Sequence, residues 1–255
     1  VLTLNDGRKI VLDSLPAGTV DLQDGASALL QNGMLTYNPT QTNIAGLNTM
    51  STPRGRKFDI KLSDGTHIWL NAASSVTFPV VFKDATRNIK ITGEAYLDVA
   101  QNTKPFIVNV DDKTSVQVIG TSFNIKAYRD ESAIRTTLIT GAIKVSGNRE
   151  EKILKPGQQN SLYTDGAFTV DNNTDIEQVT AWKNGAFNFN RADIQTVMRE
   201  LARWYDIDVI YSGNIPKREF RGEIGRDLSL SQVLKGLKDM EVHFDINGRT
   251  VTVMP

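Results

Sequence analysis

The sequence predicts an all-β domain over residues 1–173 followed by a small α+β domain over residues 174–255, and three observations carry that prediction. Before position 174 apolar residues recur with period two and no sustained 3.6-residue stripe is found. Seven Asx-Gly pairs punctuate the chain, six of them at or before position 185, and such pairs favour the primed turns of β-hairpins. Around Thr174 the period changes to that of a helix.

The first domain opens on a phrase that occurs twice. LNDGRKIVL at Leu4–Leu12 and LSDGTHIWL at Leu62–Leu70 both fit L-x-D-G-x-x-I-x-L, a turn feeding a half-buried strand. The two copies read either as two ordinary hairpins or as a quasi-symmetric pair. Between them, Gln31 to Met50 is rich in Asn, Thr and Gly and predicts a long loop. Further strands are predicted at 58–62, 67–70, 106–110, 115–119, 123–128, 134–139, 142–146 and 167–170. The clearest is Ile89 to Val99, with Ile89, Ile91, Ala95, Leu97 and Val99 on one parity and Lys90, Thr92, Glu94, Tyr96 and Asp98 on the other. Many short strands between turns mean a sandwich, a roll or a solenoid-like stack.

In the second domain Thr174 and Glu177 fit a capping box and predict a linking helix over about 175–182. Residues 191–205 place Ile194, Val197, Met198, Leu201, Ala202 and Tyr205 on one helical face, with Arg199, Glu200 and Arg203 mostly off it. Ser229 and Gln232 form another capping box, ahead of Leu230, Val233, Leu234, Leu237 and Met240 at helical spacing. Short apolar runs at 186–189, 207–211, 219–224, 242–246 and 250–254 complete a β-α-β-β-α-β-β order.

Composition bounds the function. The 255 residues are 40% apolar and 23% charged, ordinary material for one large or two modest cores. Lys plus Arg balance Asp plus Glu at 29 each, so no global field draws nucleic acid or anionic lipid. Cysteine is absent, which removes disulfides and thiolate metal sites. No apolar run reaches a membrane span and no signal peptide opens the chain. Val1 leads directly into the first copy of the phrase, and the chain reads as a piece of a longer precursor.

Catalytic, cofactor and metal residues are expected to be none. His67 and His243 both fall in predicted strands and outside any ligand-spaced motif. Glu94 and Asp98 share a strand face but lie roughly 13 Å apart along it, beyond the reach of either glycosidase mechanism. Gly222-Glu-Ile-Gly225 is a G-x-x-G without the basic residues a nucleic-acid clamp needs, although Lys217, Arg218, Arg221 and Arg226 make a local basic stretch. Residues 174–255 carry 11 basic against 12 acidic side chains, a net charge of −1 that suits phosphate poorly. Tyr205 continues the buried stripe, Trp204 lies off it as a recognition or packing residue, and Trp182 stands at the domain junction as a wedge.

From Thr52 the wording TPRGRKFDIKLSDGTHIWLNAASSVTF, ITGEAYLDVA, PFIVNV, VQVIGTSFNIKAY, LITGAIKV and LKPGQQ resembles the periplasmic part of a FecR-type anti-sigma factor. AWKNG at Ala181–Gly185 with FNFNRADIQTVMRELARWYDIDVIY resembles the C-terminal domain accompanying such modules in Bacteroidetes-type proteins, itself similar to the short signalling domain of secretins and TonB-dependent transducers. The resemblance implies the sensor half of a single-pass inner-membrane regulator. Its partners would be the signalling domain of an outer-membrane TonB-dependent transducer and, through a cytoplasmic segment absent from this chain, an extracytoplasmic-function sigma factor. The strand Glu219 to Ile224 is the candidate edge for the transducer, which nominates Phe220, Arg221, Gly222, Glu223 and Ile224, with Trp204, as partner-binding residues. The alternative is a periplasmic or surface carbohydrate-binding module using Trp69, Tyr96 and Tyr128.

Overall fold

In the computed structural model, which describes residues 1–38, 46–213, 217–238 and 242–255, the repeated phrase makes the same turn twice. Gly7 N donates to Leu4 O and Leu4 N to Arg8 O, both at 2.9 Å. Gly65 N donates to Leu62 O at 3.0 Å and Leu62 N to Thr66 O at 2.8 Å. In each turn the aspartate accepts the backbone N–H two residues on, Arg8 at 2.9 Å and Thr66 at 3.0 Å. Tyr163 to Ala167 repeats the whole set around Asp165 and Gly166. In all three the glycine is left-handed while the aspartate keeps a negative φ, a type I turn with a glycine bulge rather than the primed turn expected. Only Asp24-Gly25 and Asn32-Gly33, among the described Asx-Gly pairs, have positive φ at both residues.

The two copies do not pair with each other. Leu2–Thr3 and Lys9–Ile10 lie in one sheet, Phe58–Lys61 and His67–Leu70 in another. The first sheet runs Lys9–Ile10, Leu2–Thr3, Leu47–Thr52, Ser74–Pro79, Arg87–Asp98, Phe106–Val110, Thr114–Val118, Ile143–Gly147, Glu150–Leu154. The second runs Gly18–Asp21, Ser27–Gln31, Met34–Tyr37, Phe58–Lys61, His67–Leu70, Arg87–Asp98, Ser122–Ala127, Ala133–Thr140, Gln159–Tyr163, Phe168–Asp171. Among the described residues of these two sheets, every pairing is antiparallel except Met34–Tyr37 with Phe58–Lys61 and Arg87–Asp98 with Phe106–Val110.

Arg87–Asp98 therefore belongs to both sheets, and the switch falls at Gly93, whose φ is +79°. Residues 90–92 pair with Ser74–Pro79 in the first sheet and residues 93–98 with Ser122–Ala127 in the second. The inward residues of both sheets form one contiguous apolar core, including Leu2, Met50, Val76, Ile91, Phe106, Leu35, Ile68, Leu97 and Phe123. The first domain is thus a large curled β structure closed on a single core.

The long loop expected over Gln31 to Met50 is a misreading where the structure describes it, because Met34–Tyr37 and Leu47–Thr52 are strands; residues 39–45 lie outside the described residues. Asn48 explains the miss. It is 0% exposed at an inward position where the period-two rule looks for an apolar side chain. Its Oδ1 accepts from Asn5 N at 3.1 Å and Gln23 Nε2 at 2.9 Å, and its Nδ2 donates to the Tyr37 hydroxyl at 2.9 Å. Burial lifts the Tyr37 phenol far above its ordinary range, against the opposing hydrogen bond from Asn48. A folded pKa raised above the unfolded one leaves the stability intact below the ordinary tyrosine value of ~10 and withdraws it as the pH rises beyond. Tyr37→Phe is expected to cost about 1–3 kcal/mol at neutral pH, since Asn48 loses its acceptor, and to flatten the alkaline limb of the stability profile. Urea melts of both proteins from pH 7 to 11 measure both effects.

The chain divides into two compact units, Val1–Pro53 with Lys57–Ile176, and Arg54–Arg56 with Glu177–Pro255. In the second unit the elements follow the order read from the sequence. They are the helix Ile176–Thr180, the strand Ala186–Asp193, the helix Ile194–Tyr205, the strands Asp208–Tyr211 and Glu219–Gly225, the helix Leu230–Lys238 and the strands His243–Asn247 and Thr250–Met254. Two strands pair as Ala186–Asp193 with Glu219–Gly225, and three as Asp208–Tyr211, Thr250–Met254 and His243–Asn247. Both long helices contribute to one core with these strands, through Val197, Met198, Leu201, Val233, Leu234 and Leu237.

The cap at Ser229 forms as expected, with Ser229 N donating to Gln232 Oε1 at 2.9 Å. The one at Thr174 does not. Its hydroxyl makes no hydrogen bond, and the helix starts at Ile176 behind Asp175, a stronger capping residue. The helix expected from 191 begins at Ile194, because residues up to Asp193 are strand and the Asp193 carboxylate accepts Thr196 N at 2.6 Å. Arg203, expected off the buried face, is 7% exposed.

Candidate functional site

The strand Glu219–Gly225 is the centre of the candidate site. It is hydrogen-bonded along one side, to Ala186–Asp193, and among the described residues no strand pairs with its other side. Along it Phe220 turns inward at 1% exposure, while Glu219, Arg221 and Glu223 alternate in charge at the surface. Arg221 Nη2 lies 3.4 Å from Glu219 Oε2, an exposed pair worth little by itself. Alternating charges on an open edge discourage unselective pairing and leave room for a strand whose charges complement them.

Gly222 sits in that edge with φ +130°, a region closed to L side chains, and a Cβ there would meet nothing within 4 Å. The strain of a substitution would come from the backbone alone. Gly222→Pro would both reset φ and remove a donor, so it changes the strand as well as the edge. The charged residues on either side are the cleaner places to intervene.

The named residues divide by burial. Arg221, Gly222 and Glu223 are exposed and Ile224 half-buried. Phe220 is a core residue, packed with Phe187, Phe189 and Val197, and offers no side chain to a partner. Trp204 is half-buried, its Nε1 donates to Arg226 O at 3.0 Å, and the Arg226 guanidinium lies 4.9 Å from its ring centroid. The same guanidinium sits 4.5 Å from the Phe187 ring, and Arg226 Nε donates to Ala186 O at 3.2 Å. Trp204 is therefore held in place at the inner end of the edge. Arg226, 7% exposed, leaves the basic stretch to Lys217, Arg218 and Arg221. Trp182 is 4% exposed and its carbonyl accepts Gly185 N at 3.3 Å. Gly222 and Gly225 both belong to a strand, not to a loop between helices, which removes the nucleic-acid clamp reading.

Residues 54–56 finish this unit. Gly55 N donates to Arg203 O at 2.9 Å, and Arg54 Nη1 donates to Ile207 O and Asp208 Oδ1 at 3.2 Å each. Carbonyls at and beyond the C-terminal end of the helix Ile194–Tyr205 thus gain donors, one of them cationic. Tyr205 donates to Leu228 O at 2.7 Å, and burial raises both its phenol and that of Tyr211, so neither ionises near neutral pH. No sequence signal marked Arg54 or Gly55 for this role, since their partners lie about 150 positions away.

The aromatic residues of the carbohydrate alternative are split. Trp69 and Tyr96 are cross-strand neighbours with ring centroids 5.4 Å apart, and His67 stacks on Trp69 at 3.5 Å. Tyr128 is 8% exposed and donates to Ala72 O at 2.7 Å, away from that row. Glu94 is buried, its carboxylate accepting from Asn71 at 2.8 Å and Asn124 at 3.2 Å, while Asp98 is exposed and accepts from Ser122.

No curated protein matches this chain. The family model for FecR protein matches residues 48–144, and the model for FecR, C-terminal, matches residues 186–253. Two crystal structures of a candidate anti-sigma factor from Parabacteroides distasonis ATCC 8503, at 1.65 and 2.50 Å resolution, are similar to it. The first is 28% identical with a TM-score of 0.74, over 80% of this chain and 97% of that one. The second is 28% identical with a TM-score of 0.75, over 82% and 98%. The two models match in order on the two units, and with these structural relatives they establish that the chain belongs to the FecR family of anti-sigma factors.

Proposed function

We propose that this chain is the periplasmic sensor part of a membrane-anchored anti-sigma factor, and that it receives its signal by adding a strand of a TonB-dependent transducer's signalling domain to the open edge Glu219–Gly225. The observation that carries the reading is that edge, a seven-residue strand bonded on one side with exposed charges in alternation. Backbone hydrogen bonds would supply affinity, and Glu219, Arg221 and Glu223 would select a partner strand of opposite pattern. The bound transducer would then act on a sigma factor held by a cytoplasmic segment of the intact protein. No helix among the described residues is long and apolar enough to cross a membrane. The family is regulatory, and the role proposed for this chain is a non-enzymatic one.

Reversing the charges with Arg221→Glu and Glu223→Lys together is the test of the edge. Both side chains are exposed, so the fold is expected to persist with a melting temperature near that of the parent. Affinity for the transducer's signalling domain, measured by calorimetry, is expected to fall at least tenfold. Unchanged affinity in the folded double variant would move the contact elsewhere.

A further inference from the structure

A second surface feature lies wholly within the first unit and owes nothing to the transducer contact. A groove of about 730 Å³ opens between the hairpin turns at one end of the β structure, within the size range of small-molecule sites. Its apolar wall is made by Tyr128, Ile134, Leu162 and Tyr163. Its charged groups cancel, Lys113 and Arg129 against Asp111 and Glu131, and Arg129 Nη2 lies 3.6 Å from Asp111 Oδ1. A site so balanced has no field to favour an anion or a cation.

The rim is set firmly. Asn148 Nδ2 donates to Gly166 O at 2.7 Å, which fixes an amide plane beside the groove. Two turns whose central residues are not glycine flank it, with φ of +45° and +55° at Asp111 and Asp112 and +48° and +65° at Asn148 and Arg149. Left-handed backbone is unusual at an arginine, and such conformations persist where the surrounding structure holds them. Tyr163 is 37% exposed, so its ring is available to a ligand, while the Tyr128 hydroxyl is tied to Ala72 O.

We infer that this groove binds an uncharged saccharide. Sugar rings present apolar C–H faces bordered by hydroxyls, which matches tyrosine rings and aliphatic wall bordered by planar amide, guanidinium and carboxylate groups. A charged ligand of either sign would leave one member of each opposed pair poorly placed.

The test is a backbone-amide NMR titration of the whole chain with maltotriose, cellotriose and chitotriose in turn, and with sodium sulfate. Saturable shifts with at least one trisaccharide, centred on Tyr128, Asn148 and Tyr163, are expected, and Tyr163→Ala should weaken that binding at least fivefold. Arg129→Ala, whose side chain is 87% exposed and so is safe for folding, should weaken it as well. Three results overturn the proposal: no saturable shift with any trisaccharide, shifts centred elsewhere such as on Trp69 and Tyr96, or sulfate outcompeting the sugars at the groove. Because the probes are free sugars and the readout lies in the first unit, failure here leaves the transducer reading standing, and the reverse holds.

Discussion

Replacing Arg87 with alanine is expected to destabilise the first unit by about 3–5 kcal/mol, the scale of breaking a buried ion pair from one side. Arg87 is 1% exposed and Asp64, its partner at 2.7 Å, has a side chain only 7% exposed. The guanidinium also donates to Lys104 O at 3.1 Å, Ala100 O at 2.9 Å and Ile119 O at 3.1 Å, and lies 5.0 Å from the Phe106 ring centroid. Truncation would take the cationic partner from the Asp64 carboxylate, which keeps only Thr66 as donor, and a charged donor from each of three carbonyls, of which Ile119 O still accepts Asn102 N at 3.2 Å. Arg87→Lys should recover only part of the loss, because an ammonium cannot reproduce the fork. The same turn in the first copy supplies the control. Asp6 is paired there with Arg8 at 2.7 Å, with side chains 41% and 55% exposed, so Arg8→Ala should shift the urea midpoint little. Equal effects of Arg8→Ala and Arg87→Ala would refute this account of the turn.

Gly93→Ala carries the next largest effect, about 2–5 kcal/mol. The residue has φ +79°, and an added Cβ would come within 2.8 Å of Ala73 O and Ser74 Cα, both backbone atoms that cannot swing away. Left-handed strain contributes roughly 1–2 kcal/mol and overpacking about 1–3. The position matters because Glu94 N donates to Ser74 Oγ at 2.8 Å immediately after the switch between sheets. A shift there disturbs both sheets at once. The expected result is a transition of the first unit moved to clearly lower temperature or urea concentration; a melt like the parent's would show that the strand can cross without a glycine.

What the sequence showed of this fold follows the physics of each element. Ile89 to Val99 was legible because its inward side chains on either side of Gly93 are apolar and alternate with polar ones. Gly93 interrupts that pattern without revealing that the strand changes sheets, which depends on Ser74, far away in sequence. Leu47–Thr52 was illegible because Asn48 does in the core what leucine does elsewhere, its amide satisfied by residues 11, 25 and 43 positions distant. The Asx-Gly turns were located correctly but not typed, since the choice between a primed turn and a glycine bulge lies in the φ of the residue before the glycine. In the second unit the helices announced themselves by periodicity and the edge strand by its alternating charges. The inward turn of Phe220 and the burial of Arg226 between Phe187 and Trp204 could not be read, because both depend on which sheet face the helices cover. The groove beside Tyr163 gathers residues from four separate stretches of the chain, none of which forms a motif.

The central claim is that a transducer's signalling domain joins the edge Glu219–Gly225, and amide hydrogen exchange of the chain alone and at saturation with that domain tests it most directly. Strand addition predicts new protection concentrated at residues 219–225, reporting backbone hydrogen bonds that the free edge lacks. Saturable binding that protects other residues and leaves 219–225 exchanging as before would contradict it.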